Sequence, residues 1–93
     1  MPTPYTALVY EYVPDVLERR GPYRDAHLAL LSDLHAQGVV VMAGATGDPV
    51  SGGLIVFRGE SPAAARAFVD ADPYVANGIV TSHRITPWTV VVP

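Results

Sequence analysis

Histidine is the side chain best suited to trade protons near neutral pH, and the sequence holds three, His27, His35 and His83. His27 shares a helical face with Leu31 and Leu34, so its imidazole points into an apolar stripe. A histidine in that setting is either a satisfied structural residue or an acid/base group, and a partner decides which. Asp72, in the run Asp70-Ala71-Asp72-Pro73-Tyr74, is the candidate partner. A carboxylate beside an imidazole fixes its tautomer and stabilises its cation. Asp72 also has a plainer role open to it, because an aspartate at the end of a helix commonly closes an Asx-type turn on nearby backbone. Arg24 lies one turn before His27 on a neighbouring face. It is either a solvated first-turn charge or an anchor for an anionic group.

Residue types and spacings argue against most other chemistries. The three histidines are eight and forty-eight positions apart, which is no metal-ligand spacing, and the chain has no cysteine. Neither a metal nor a cofactor is expected. The glycine-rich stretch 44–53 has neither a P-loop lysine nor a strand–GxGxxG–helix context. Ser32, Ser51, Ser61 and Ser82 have no surroundings that mark a nucleophile. His35 reads as a surface residue and His83 as a sheet-face or interface residue.

The elements that position these groups follow from pattern. Residues 5–12, rich in Tyr and Val, read as a strand ended by Pro14, and 15–21 as a charged connection. Gly21-Pro22 opens a helix, with Pro22 suited to its first position, and Gly38 closes it as a left-handed cap. Residues 39–45 and 54–59 are apolar strands joined by the turn-forming stretch 46–53. Ser61-Pro62 reads as N-cap and first position of an alanine-rich helix, which Asp72-Pro73 interrupts. A last strand runs from Ile79 to Val92, with Pro87 as a break or edge residue. The order is βαββαβ: an α+β, ferredoxin-like fold with a four-stranded antiparallel sheet and two helices on one face. Residues 1–93 are too few for two domains.

Composition speaks to the other face of that sheet. Hydrophobic residues make up 49% and charged residues 16%, and the mean hydropathy is +0.24. The strands are apolar on both sides, whereas a solvated second face would alternate with polar residues. The open face is therefore expected to pack on a second copy, giving a homodimer or higher homo-oligomer with a cavity at the interface edge. Tyr5, Tyr10 and Tyr12, placed on that face, would suit an aromatic ligand. A net charge of −3 with six scattered basic residues gives no footprint for nucleic acid or anionic lipid. No signal-peptide pattern or membrane-length apolar run is present in the sequence, and the cytoplasm is the expected compartment.

Two stretches resemble a known family. Arg24-Asp25-Ala26-His27-Leu28, followed by Leu31, Leu34 and Gly38, resembles the R-x-x-H-L element of the YCII-related (YciI-like) family. Ala71-Asp72-Pro73-Tyr74 with Gly78 resembles its A-D-P-Y/F-x-x-x-G element, and Pro87-Trp88 falls in register. The resemblance spans nearly the whole chain. It implies a sheet-packed dimer of αβ domains with a His–Asp pair, here His27 and Asp72, in a pocket beside the interface. Some similar proteins act in dehalogenation or elimination on ring compounds, and distant relatives are isomerase-like or cofactor-free oxygenase-like. Gly44-Ala45-Thr46 departs from the Gly-Pro that follows the second strand in many members, so the pocket rim differs.

The first expectation is then a small cofactor-independent enzyme using His27 and Asp72 for elimination, isomerisation or dehalogenation of a small, cyclic or aromatic molecule. Arg24 and Tyr74 are its expected substrate-binding residues. The alternative is a non-catalytic dimeric module that binds a small ligand or a protein partner, and a purely structural dimerisation domain ranks third.

Overall fold

β-Branched and aromatic residues dominate the first segment. In the computed structural model, which describes residues 3–93, they form β1 (Thr3–Tyr12). The chain continues through α1 (Val16–Arg19), α2 (Gly21–Ala36), β2 (Val40–Thr46), β3 (Gly52–Arg58), α3 (Ala63–Ala71), α4 (Pro73–Ala76) and β4 (Val80–Val90). The strands form one antiparallel sheet in the order β2-β3-β1-β4. This is the ferredoxin-like α+β arrangement, with the helices on one face.

Several boundaries differ from the sequence expectation for local reasons. The connection 15–21 contains a helical turn, α1, which buries Val16 in a small cluster with Tyr74 and Ile79. Arg20 already has αR dihedrals as the N-cap of α2, so Gly21 opens the helix and Pro22 takes its second position. Pro62, not Ser61, caps α3, and the Ser61 hydroxyl accepts instead from the Ala63 amide at 3.3 Å. Gly38 behaves as expected. At φ +77° it lets its own amide reach His35 O and the Val39 amide reach Leu34 O, a Schellman closure of α2.

Side-chain parity sorts the sheet. Leu8 lies opposite Ile55 on β3 and Ile85 on β4, and these face the helices. The main core joins Leu8, Val40, Ile55 and Phe57 to Ala65 and Phe68 of α3, with Leu30, Leu31 and Leu34 of α2 packed against it. Each large side chain so buried contributes ~1.5–3 kcal/mol. Tyr10 and Tyr12 have the parity of Leu8 and join this helix-side core; only Tyr5 lies on the open face. The expected row of three tyrosines on the open face is therefore wrong by strand parity. The open face carries Tyr5, Val9, Leu54 and Val56, with Met42 62% and Trp88 42% exposed. The smallest molecular extent, 17 Å, accommodates one sheet and one helical layer. No helix among the described residues is long and apolar enough to cross a membrane.

Candidate active site

The site begins with a proline. Pro73 keeps the preceding residue out of the α region, and Asp72 adopts φ −76°, ψ 119° between α3 and α4. From there its carboxylate turns back to cap α4, with Oδ1 accepting from the Tyr74 amide at 3.0 Å. The same Oδ1 meets His27 Nδ1 at 2.8 Å, and Oδ2 accepts from the Tyr10 hydroxyl at 2.8 Å. Asp72 is thus both the turn-closing aspartate and the histidine's partner. At 1% exposure it would be costly to bury alone, and three donors compensate its lost hydration.

His27 is held in position as firmly as its partner. It lies on the buried stripe of α2, and its ring stacks on that of Tyr74 with centroids 3.8 Å apart and planes 2° from parallel. Phe68 meets it edge-on at 6.1 Å. With Asp72 ionised, Nδ1 carries the proton and Nε2 keeps its lone pair. Nε2 has no hydrogen-bond partner among the described residues, yet no polar side-chain atom there is both buried and unpaired. The free nitrogen therefore reaches the adjoining cavity.

That cavity, about 180 Å³, opens between α2 and the ends of β2 and β3. His27, Tyr12 and Tyr74 line its inner side, and Arg20, Arg24 and Leu28 stand around its helical side. Ala43, Gly44, Ala45 and Gly53 form the strand wall. Their small size leaves the volume open. At Gly53 there is no room for more, since a Cβ there would come within 2.7 Å of the Tyr12 hydroxyl. Burial raises the pKa of the phenols in the aromatic cluster. The Tyr12 phenol is pushed up to about 12, chiefly by burial and then by Tyr74 and Asp72. Tyr10 is held well above the usual phenol range, by burial first and then by the Asp72 charge and hydrogen bond. Tyr74 is also raised by burial, with Arg20 and Arg24 pulling against it. The phenols therefore stay protonated near neutral pH, and that of Tyr10 donates to Asp72.

Of the expected site residues, His27, Arg24 and Tyr74 line one cavity, and Asp72 lies behind them, joined to the cavity through its contact with His27. Tyr74 is 3% exposed and packs mainly on the imidazole. The cavity lies on the helix-covered side within one chain, so it does not depend on a second subunit to exist. His35 is exposed, and His83, paired with Tyr10 across the sheet, is exposed on β4. Arg20 is the site residue the sequence expectation missed, and Tyr10 and Tyr12, expected on the open face, lie at this site instead. Strand parity with Leu8 would have put both tyrosines under the helices, and Arg20 is four positions before Arg24, one helical turn. Among the described residues, no group of three or more His, Asp or Glu is arranged to hold a metal ion.

Comparison with known proteins bears on this arrangement. A family model described as the YCII-related domain matches residues 5–89. The protein YciI of Escherichia coli O6:H1 is 39% identical over 83 residues, covering 80% of this chain and 85% of its own length. Protein YciI of Shigella flexneri matches to the same extent. Among solved structures, the 5-chloro-2-hydroxyhydroquinone dehydrochlorinase of Burkholderia phenoliruptrix, in complex with 2,5-dihydroxybenzoquinone, superposes with a TM-score of 0.74 at 24% identity, covering 90% of this chain and 92% of that one. A protein of unknown function from Nitrosomonas europaea gives 0.57 at 16% identity, covering 100% and 93%. These two likenesses are of fold.

Proposed function

The chain belongs to the YCII-related family, and from that premise we propose that it is an acid/base enzyme in which His27 and Asp72 move a proton on a small ring compound. The buried 2.8 Å contact between His27 Nδ1 and Asp72 Oδ1, with Nε2 left free at a cavity, carries this reading. A volume of about 180 Å³ suits one substituted ring and falls below the ~300 Å³ at which drug-sized pockets begin. The dehydrochlorinase of similar fold binds a dihydroxylated ring, which supports the same class of ligand here.

In the proposed step, on the keto tautomer of a chlorinated hydroxyhydroquinone, Nε2 takes a proton from a ring hydroxyl. The oxygen's electron pair forms a C=O bond, the neighbouring ring C=C shifts by one position, and chloride departs from the sp3 carbon with its bonding pair, leaving a quinone. Asp72 balances the imidazolium through Nδ1–H, Tyr74 holds the imidazole plane by stacking on it, and Arg24 faces the developing oxyanion. Without a leaving group, return of the proton to another atom gives an isomerisation. We also propose that two copies pair through the open sheet face.

The test is chloride release from a chlorinated hydroxyhydroquinone. His27→Ala and Asp72→Asn should each lower turnover by at least ~10²-fold, the usual scale of positioned acid/base catalysis. Asp72→Asn keeps an acceptor for the Tyr74 amide, so the variant should stay folded. Undiminished release in both variants rejects the pair as catalytic groups. Binding without turnover in the unaltered protein favours a binding module.

A further inference from the structure

All six basic residues of the chain are arginines, and two of them, Arg20 and Arg24, open onto the candidate cavity. Arg20 sits at the junction of α1 and α2, and Arg24 lies one turn into α2. The ion pairs among the described residues are Arg19 with Asp15 and His27 with Asp72, so neither cavity arginine is neutralised by a carboxylate there. Their charges nevertheless reach the site. Arg20 opposes the upward shift of the Tyr12 phenol, and both arginines oppose that of Tyr74. The one carboxylate in the site, Asp72, is 1% exposed and already accepts from three donors, so it cannot turn to meet them.

The result is a positive cavity in a protein whose formal net charge is −3. Two guanidinium groups stand against one committed carboxylate, beside a Tyr12 hydroxyl that burial pushes up to about 12, so that it is protonated at neutral pH and can donate a hydrogen bond. Planar guanidinium forks pair best with two oxygens at once, as in a carboxylate or a vicinal enolate–carbonyl. The volume, about 180 Å³, restricts the remainder of such a ligand to a single ring.

We propose that Arg20 and Arg24 form an anion clamp that makes this cavity select single-ring compounds bearing an ionised oxygen over neutral rings of the same size. The inference rests on the cavity being the ligand site, as the proposed function has it, but does not require that His27 be catalytic. It assigns Arg20 a specificity role beside Arg24. Attraction of this kind weakens with salt, because the clamp opens to solvent on its helical side.

Calorimetric titration with 2,5-dihydroxybenzoquinone, an anion at neutral pH, and with neutral hydroquinone tests it. The unaltered protein should bind the anion at least ~10-fold more tightly at low ionic strength, a difference of ~1.4 kcal/mol. Arg20→Gln with Arg24→Gln should abolish that preference and leave hydroquinone binding unchanged. The double Arg→Lys variant should keep part of it. Matching far-ultraviolet circular dichroism and melting points confirm that the variants are folded. Equal affinity for the two compounds, a preference that survives the double Gln variant, or no binding of either at millimolar concentration overturns the clamp. His27→Gln should lose turnover and retain the preference. If the unaltered protein shows the preference but no turnover, the clamp stands and the catalytic reading falls.

Discussion

Asp72 accepts from a backbone amide, an imidazole and a phenol with one buried carboxylate, so its folding role and its proposed chemical role share the same atoms. Capping α4 fixes Oδ1, and a fixed Oδ1 fixes the tautomer and angle of His27. Tyr10 completes the arrangement from the opposite side of the core without lining the cavity. It is a positioning residue, and Tyr10→Phe isolates its hydroxyl because the ring that packs near Phe68 is kept. Loss of a hydrogen bond to a charged acceptor should cost ~1.5–3 kcal/mol of stability, read from the urea midpoint at constant m. Because Asp72 would then be free to tilt, kcat should fall ~10-fold while KM changes little. A stability loss with kcat intact would make Tyr10 structural only.

The first strand links chemistry to stability at the level of an element. β1 sends Tyr10 and Tyr12 to the helix side, two positions apart, with ring centroids 6.1 Å from each other. Both phenols titrate higher when folded than the ordinary 10.0, Tyr12 at about 12 and Tyr10 further up. Above pH ~10 the unfolded chain has therefore released protons that the folded chain still holds, so stability must fall as pH rises. The chain has no lysine to titrate in the same window. Urea midpoints should be level from pH 8 to about 9.5 and drop through pH 10–12, with tyrosinate absorbance growing as the protein unfolds. Tyr10→Phe should flatten the drop, and an equally steep drop in that variant would contradict the burial assigned to Tyr10. Much of this element-level logic was open to sequence reading. The Asp72-Pro73 break, the Gly38 cap and the His27–Leu31–Leu34 stripe are local signals governed by proline sterics, left-handed backbone and helical period. The Tyr10–Asp72 bond joins residues 62 positions apart, and no local rule reports it. Arg20 was hidden because the connection around it gains its helical turn only from the burial of Val16 against Tyr74 and Ile79.

Over the whole molecule, one sheet face is covered and the other carries Met42 and Trp88 exposed beside Val56 and Leu54. A standard association buries ~800 Å² per partner, about one seventh of this chain's 5653 Å² accessible surface. A face with molecular extents of 42 × 25 Å is large enough to supply it. Met42 and Trp88 are large apolar side chains that the single chain leaves uncovered on that side, so a second copy is the cover we propose. Met42 is 62% exposed at this face, and a carboxylate there would be buried without a partner in a pairing across the sheet. Sedimentation at micromolar concentration should give two 9.9 kDa chains for the unaltered protein and one for Met42→Glu. The melting point should rise with concentration only in the former, since association stabilises the folded chain by mass action. The cavity lies on the helix side within a single chain, so the monomeric variant should keep its preference for an anionic ring. If both Met42→Glu and Trp88→Glu remain dimeric, the open face is not the interface, and its apolar residues need another partner.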